Sequence, residues 1–166
     1  MLTGKTESHN HVDSRDNFKM EVRLTLDAVK NIDEYDLNDV LNANDYAALK
    51  ALYNRTSGEN WTTNTGWDVS SETPPKASDV VLWHGVTVAG SRVTKIGLDE
   101  NNLSGTLPSE YGSLSKLQIL DLAWNDLHGT LPSELGSLSN LRFFRLYHNE
   151  LSGTLPSFLG GAIRLA

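Results

Sequence analysis

The sequence predicts an α/β solenoid, in which short coils stack so that their strands form one parallel β-sheet. Two observations carry this prediction. A segment of 24 residues occurs three times in succession between residues 92 and 163, and large apolar residues recur at the same places in every copy. Self-similarity at a fixed period of this length indicates that each copy is one coil of a solenoid, because a single coil cannot bury its apolar face alone.

The three copies align without a gap. They are RVTKIGLDENNLSGTLPSEYGSLS (92–115), KLQILDLAWNDLHGTLPSELGSLS (116–139) and NLRFFRLYHNELSGTLPSFLGGAI (140–163), and Arg164 and Leu165 begin a fourth. Stacked coils are expected to join the inward apolar residues into one continuous core. These residues are Val93, Ile96, Leu98 and Leu103, then Leu117, Leu120, Leu122 and Leu127, then Leu141, Phe144, Leu146 and Leu151.

An asparagine ends the strand segment of each copy, at Asn101, Asn125 and Asn149. A buried amide at the point where the chain turns away from the sheet can bond backbone groups of adjacent coils. Such bonds satisfy donors that the bend would otherwise leave unpaired. We therefore predict that the three asparagines form a structural column. Repeated glycines and prolines further along each copy keep the return segment short and irregular.

The repeated pattern LSGTLPSxLGxLxxL resembles the plant-type leucine-rich repeat of receptor-kinase ectodomains and polygalacturonase-inhibiting proteins, and the resemblance covers residues 45–166. It implies a short right-handed coil stack with a parallel concave β-sheet, and a second short strand formed by the LSGxLP segment. It also implies a scaffold that binds proteins, peptides or polysaccharides without doing chemistry itself.

The segment before the repeats predicts a helix followed by a tryptophan-rich cap. Helical apolar spacing and a capping candidate at its start predict a helix over DYAALKALYNRTSG, from Asp45 to Gly58. The stretch after it resembles the N-terminal cap of plant-type repeats. In this resemblance, Trp61, Trp67 and Trp83 would fill the open end of the first coil with large apolar area.

The cap departs from its relatives at two positions. Relatives usually carry a cysteine pair in the pattern CxWxGVxC, and this chain has Val81 and Val88 at those two places. The resemblance therefore implies that two valines pack together where a disulfide would have formed. It also implies a domain that is stabilised without oxidation.

Residues 1–26 give two further predictions. The polar segment 1–17 has no periodicity and is expected to be a disordered tail, and its His9, His11 and Asp13 are too weak a pattern to predict a metal site. Residues 18–26 alternate apolar and polar side chains, which predicts a half-buried strand. That strand either covers the open end of the solenoid or belongs to an upstream domain. The predicted organisation is a tail at 1–17, the strand and cap at 18–91, and the repeats at 92–166.

Composition limits the classes of function. The chain has 166 residues, a net charge of -7 and no cysteine. Because it has no basic stripe, we predict no nucleic-acid partner, and because it has no long apolar stretch, we predict no membrane span. The missing cysteines and signal peptide favour the cytoplasm by default, whereas the resemblance favours the cell surface or the extracellular space. The compartment stays open.

The sequence predicts neither an enzyme nor a cofactor-binding protein. It contains no phosphate-cradling glycine loop, no GxSxG elbow, no HExxH motif and no kinase signature. The two histidines of the cap and the second copy, His84 and His128, are expected to be structural or solvated.

Function is therefore expected on the concave face of the repeats, where alternate strand residues point away from the core. Aromatic and arginine side chains, which interface hot spots favour, are frequent there and predict recognition of a protein, peptide or glycan. The predicted contact residues are Lys95, Asp99, Ile119, Asp121, Trp124, Phe143, Arg145, Tyr147 and His148. Across neighbouring strands the face should form columns: Lys95, Ile119 and Phe143; Gly97, Asp121 and Arg145; Asp99, Ala123 and Tyr147; Glu100, Trp124 and His148.

Two other interpretations remain open. Thr106, Thr130 and Thr154 occupy the same place in each copy and would form a threonine ladder, which is similar to the ladders of ice-binding solenoids. The chain would then adsorb to a repetitive surface. Alternatively, it is a structural fragment of a larger receptor or adhesin, and its concave aromatics only cover a sheet. An uncapped C-terminal end after Ile163 would also favour self-association.

Overall fold

The structure, a computed structural model, describes residues 39–153. Four sequence predictions lie outside the described residues. They are the tail at 1–17, the strand at 18–26, the fourth repeat that begins at Arg164 with its uncapped end, and the third threonine of the ladder, Thr154.

The first element is an α-helix, α1, which spans Ala43–Arg55. Its N-cap is Asn42, whose side-chain oxygen accepts hydrogen bonds from the backbone N–H groups of Asn44 (3.0 Å) and Asp45 (3.3 Å). The prediction that the helix starts with Asp45 at its cap is therefore wrong. An amide three residues earlier takes the capping role, and Asp45 lies buried in the first turn.

The helix ends three residues before the predicted Gly58. The backbone N–H and the hydroxyl of Thr56 both donate to the carbonyl of Leu52, at 3.1 and 2.7 Å, and close the last turn. Gly58 instead begins a short 3₁₀ turn, Gly58–Asn60. The inward face of α1 matches its apolar spacing and buries Tyr46, Ala48, Leu49 and Leu52.

Short strands and turns follow in chain order. A one-turn helix, α2, spans Ala77–Val80. The strands are β1 (Val86–Ala89), β2 (Arg92–Gly97), β3 (Ser104–Gly105), β4 (Ile119–Asp121), β5 (Asp126–Thr130), β6 (Phe143–Arg145) and β7 (Glu150–Ser152). Two 3₁₀ turns, Ser109–Ser113 and Ser133–Ser137, lie on the return segments of the first two copies.

The larger sheet confirms the predicted parallel arrangement of the repeats. Its strand order is β1-β2-β4-β6, and β2, β4 and β6 run parallel to one another. The register advances by one repeat per strand, so that Lys95 lies opposite Ile119, which lies opposite Phe143. The segment before the repeats adds β1 to this sheet as an antiparallel edge strand.

A second, narrower sheet contains β3, β5 and β7. Its strands also run parallel, but the residues that pair across them do not occupy the same place in their copies. Thr130, for example, lies opposite Ser152. The two sheets line two sides of the same coils.

Between the sheets, the inward residues of the repeats form the core. In the first two copies, all eight predicted core positions are buried, and in the third copy Phe144 and Leu146 are buried while Leu141 and Leu151 are partly buried. The described residues therefore form a solenoid whose leucines stack from one coil to the next.

A cluster of aromatic rings joins α1 to the first coil. The three tryptophans before the repeats, Trp61, Trp67 and Trp83, are all buried, and consecutive ring centroids lie 4.9 Å apart. Two of the indole N–H groups donate to backbone carbonyls: Trp61 to Thr56 and Trp67 to His84, both at 2.9 Å. The rings thus bury large apolar area without leaving these two donors unpaired.

Candidate functional site

The residues of the candidate site are positioned by the turn that ends each concave strand. Asn125 is buried at this turn, and its side-chain N–H group donates to the carbonyls of Leu98 in the preceding coil (2.8 Å) and Leu122 in its own coil (3.1 Å). Its side-chain oxygen accepts from the N–H groups of Asn101 (3.1 Å) and Leu103 (2.9 Å). One amide therefore ties two coils together.

The same turn is bonded similarly at its other two occurrences. Asn149 donates to the carbonyl of Leu122 in the preceding coil at 2.9 Å and accepts from the N–H of Leu127 at 2.9 Å. Asn101, in the first copy, bonds backward to the backbone of Thr63 before the repeats, through its oxygen (2.7 Å) and its N–H group (3.0 Å). The asparagine column therefore runs from the segment before the repeats to the third coil.

The residue before each asparagine adopts a left-handed backbone conformation. The φ angles of Glu100, Trp124 and His148 are 52°, 55° and 52°. Non-glycine residues rarely adopt this conformation, and here the bonds of the following asparagine hold it. As a result, one side chain per coil projects outward at the same point of the turn.

The strand register confirms two of the four predicted columns. It places Lys95, Ile119 and Phe143 side by side, and likewise Gly97, Asp121 and Arg145. Phe143 is 55% exposed, which shows that this position points away from the core.

One member of the predicted concave face does not reach the solvent. Ala123 is buried, whereas Asp99 and Tyr147, in the same predicted column, are exposed. A methyl group between longer side chains is shielded by them. Ala123 therefore adds no exposed surface to this column, and its place in the column stays a prediction.

An ion pair crosses from β4 to β6 on the concave face. Nη1 of Arg145 donates to a carboxylate oxygen of Asp121 at 2.9 Å. This hydrogen bond, together with the negative charge of Asp121, raises the pKa of Arg145. The pair fixes the direction of an otherwise flexible guanidinium, but as an exposed pair it contributes little to stability.

Aromatic rings of two coils pack against each other at the turn. The rings of Trp124 and His148 are stacked with centroids 3.6 Å apart and planes inclined by 21°. The ring of Tyr147 meets both edge-on, 6.4 Å from Trp124 and 5.5 Å from His148. Despite these contacts, Trp124 is 50% and Tyr147 40% exposed. The structure therefore brings three of the predicted contact residues into one cluster.

A groove of about 520 Å³ opens beside this aromatic cluster. Asn102 and Asp126 were not among the predicted contact residues. They lie one repeat apart, and this spacing could have identified them. Lys95, Ile119, Phe143 and Arg145 lie on the strands and do not line the groove. The groove is lined by Glu100, Asn102, Trp124, Asn125, Asp126 and His148.

The described threonines of the proposed ladder have a packing role. A Cβ atom added to Gly129 would lie 3.3 Å from the methyl carbon of Thr106, and one added to Gly153 would lie 3.1 Å from that of Thr130. Each threonine methyl therefore lies over the glycine of the next coil. In the strand register, Thr130 lies opposite Ser152 and therefore not opposite a threonine. The threonine ladder remains a prediction.

The two valines at the missing cysteine positions have different environments. Val81, directly after α2, is 52% exposed, whereas Val88 in β1 is partly buried and packs against the core. Contact between them remains a prediction.

Within residues 39–153, no group of three or more histidine, aspartate or glutamate side chains could hold a metal ion. No helix in that range is long and apolar enough to cross a membrane.

The repeats match a known family model. The model described as Leucine Rich Repeat matches residues 116–138 and 140–162. A probable leucine-rich repeat receptor-like protein kinase from Arabidopsis thaliana is 36% identical to this chain over 91 residues. The match includes 53% of this chain and 8% of the kinase, so the chain spans less than a tenth of that relative.

Solved structures with similar folds include an Arabidopsis thaliana ectodomain and two structures with bound partners. The BIR2 ectodomain from Arabidopsis thaliana has a TM-score of 0.58 and 27% identity, over 76% of this chain and 70% of that one. The PEPR1–AtPEP1 structure has a TM-score of 0.57 and 28% identity, over 75% of this chain and 18% of that one. The BIR3–SERK2 complex from Arabidopsis thaliana has a TM-score of 0.57 and 27% identity, over 68% and 60%.

Proposed function

The chain belongs to the leucine-rich-repeat family and is similar to plant receptor ectodomains, and from this premise we propose that it is a non-catalytic recognition module. Its concave face binds a protein or peptide partner, with a glycan as the other candidate. Trp124, Phe143 and Tyr147 make the main contacts, and Arg145 orients the partner.

One observation carries this proposal. Of the six large apolar side chains that are exposed among residues 39–153, three are aromatic and lie on the concave face: Trp124, Phe143 and Tyr147. The inward positions of the same coils are already filled by leucine and phenylalanine, so these rings have no core to complete. Buried aromatic anchors are what binding hot spots most often contain.

The charged residues of the face support specific recognition. Because Asp121 holds the guanidinium of Arg145 at 2.9 Å, a partner would meet a side chain that is already ordered. Less conformational entropy is then lost on binding. The partner would bind weakly or would need further coils, because a standard interface uses about 20 to 30 residues per side.

The similar structures support the class of partner. Two of them are complexes, PEPR1 with AtPEP1 and BIR3 with SERK2. By analogy, this chain would present its concave face to a peptide or to another protein, at the cell surface or outside the cell.

A comparison of two double variants tests the proposal. Trp124→Ala with Tyr147→Ala removes two rings of the concave face, and the matched control, Val40→Ala with Leu82→Ala, removes two exposed apolar side chains elsewhere. A partner isolated with the wild-type chain should bind the first variant at least about tenfold more weakly, because hot-spot truncations cost about 2 kcal/mol. It should bind the control normally.

The proposal would be overturned by the opposite pattern. If the partner binds the Trp124 and Tyr147 variant normally, and alanines at Thr106 and Thr130 abolish binding, the functional surface is the narrow second sheet.

A further inference from the structure

The groove beside Trp124 is built from two rows of side chains that repeat from coil to coil. One row contains Glu100, Trp124 and His148, the residues that precede the asparagine of each coil. The other contains Asn102 and Asp126. The groove therefore combines an aromatic ring with carboxylates from two different coils.

The indole of Trp124 stacks on a ring of the next coil and also lines the groove. His148, in the next coil, stacks on one face at a centroid distance of 3.6 Å. Glu100 occupies the equivalent position of the preceding coil and lines the same groove. Since Trp124 remains 50% exposed, part of its indole is accessible to a ligand in the groove.

The charge of the groove is negative. Among residues 39–153, the carboxylates of Glu100 and Asp126 take part in no hydrogen bond or ion pair, although both line the groove. No lysine or arginine occurs among the described residues that line it. The whole chain is also acidic, with a net charge of -7. Two unpaired carboxylates beside a half-exposed indole ring favour a cation.

We propose that this groove binds an arginine side chain of a partner peptide, with the guanidinium between the indole of Trp124 and the carboxylate of Glu100. Asp126 adds a second carboxylate. The proposal rests on the proposed recognition function and specifies which residue of the partner binds at this end of the concave face.

Arginine fits this arrangement better than lysine does. Its planar guanidinium stacks on an indole ring and donates two parallel hydrogen bonds to a carboxylate, whereas an ammonium group acts as a hydrated point charge. A neutral sugar ring would also stack on Trp124 and donate hydroxyl hydrogen bonds to the carboxylates, but it has no positive charge to pair with them. Charge dependence therefore separates an arginine from a glycan.

A pair of isosteric peptides gives a direct test. A short glycine- and serine-flanked peptide with one arginine is titrated into the full chain, next to the same peptide with citrulline, which is neutral but has nearly the same shape. Fluorescence reports on the groove, because Trp61, Trp67 and Trp83 are buried and only Trp124 of the four tryptophans is exposed. The arginine peptide should bind at least about tenfold more tightly, and its lysine counterpart should fall between the two.

Charge-matched variants locate the site. Glu100→Gln with Asp126→Asn removes both groove carboxylates, whereas Glu134→Gln with Asp79→Asn makes the same change in net charge outside the groove. The first variant should lose the preference for arginine over citrulline. The control should keep it, because the preference depends on position and not on overall charge.

Three outcomes overturn the inference. They are equal binding of the arginine and citrulline peptides, equal loss in the two charge variants, and no binding of the arginine peptide at millimolar concentration. None of them affects recognition by the aromatic rings, which the Trp124 and Tyr147 variant tests against an isolated partner. The two proposals therefore fail separately.

Discussion

The buried carboxylate of Asp45 in α1 accepts two hydrogen bonds from the guanidinium of Arg92 at the start of β2. The distances are 3.0 Å to Nε and 2.9 Å to Nη2, and the same carboxylate accepts the backbone N–H of Val93 at 2.7 Å. The bond to Asp45 raises the pKa of Arg92. Helix α1 is thereby fixed to the first strand of the repeats by one side chain.

Asp45→Asn should destabilise the chain strongly. The change leaves Arg92 beside a neutral amide and replaces one of the two acceptor oxygens with an N–H donor, and breaking a buried ion pair costs about 3 kcal/mol. The free energy of unfolding, measured with urea, should fall by that amount. Asp79→Asn, at an exposed position, should change it by less than about 0.5 kcal/mol. Equal effects of the two substitutions would show that the bridge to β2 is not structural.

Asn125→Ala tests the asparagine column. The substitution leaves the carbonyl of Leu98 and the N–H groups of Asn101 and Leu103 without the partner that they have now. Unpaired buried groups should lower the free energy of unfolding by about 1 to 3 kcal/mol. Asn140→Ala, an exposed control, should have a much smaller effect. An unchanged melting temperature for Asn125→Ala would contradict the structural role.

Tyr111→Phe should stabilise the chain. Tyr111 stands where the next copy has Leu135, and its buried hydroxyl has no hydrogen-bond partner within residues 39–153. Removing an unsatisfied buried hydroxyl should raise the free energy of unfolding by about 1 kcal/mol. Tyr46→Phe is the matched control, because its hydroxyl donates to the carbonyl of Ser71 at 2.7 Å and should cost stability when removed. A loss of stability in both variants would contradict the account of Tyr111.

The buried phenol of Tyr111 should also make the folded chain less stable at alkaline pH. Burial raises the pKa of Tyr111 well above its ordinary value, so the folded chain keeps the phenol proton at pH values where the unfolded chain, with a pKa of about 10, releases it. Because the folded state then binds more protons, stability falls as the pH rises above about 10. Tyr111→Phe should flatten this fall in urea unfolding curves at pH 9 to 11. Parallel curves for the wild type and the variant would show that Tyr111 does not contribute.

Part of this architecture could be predicted from the sequence. The period of 24 residues fixed which residues face inward and which share a concave column, because the sheet register follows the repeat. Contacts that depend on one particular side chain could not be predicted. Capping by Asn42, the bridge from Asp45 to Arg92 and the stack of Trp124 on His148 each depend on rotamers or on long-range packing, which periodicity does not encode.

Val81→Cys with Val88→Cys tests the interpretation of the missing disulfide. If the two valines occupy the positions of the cysteine pair in relatives, the double variant should form an intramolecular disulfide in air, detected by loss of free thiol and by mass. Closing the loop should stabilise the chain by about 2 to 4 kcal/mol at most. Leu82→Cys with Val88→Cys should not oxidise within one chain. A double variant that keeps both thiols would show that the valines do not stand in for the pair.

Residue-level footprinting with the partner bound tests the central claim most directly. Oxidative labelling followed by mass spectrometry measures the exposure of individual aromatic and large aliphatic side chains in the free and bound states. Binding through the concave face predicts protection of Trp124, Phe143 and Tyr147, which are 50%, 55% and 40% exposed in the free chain, with no change at Leu82. Full labelling of all three rings in the bound state would contradict recognition by this face.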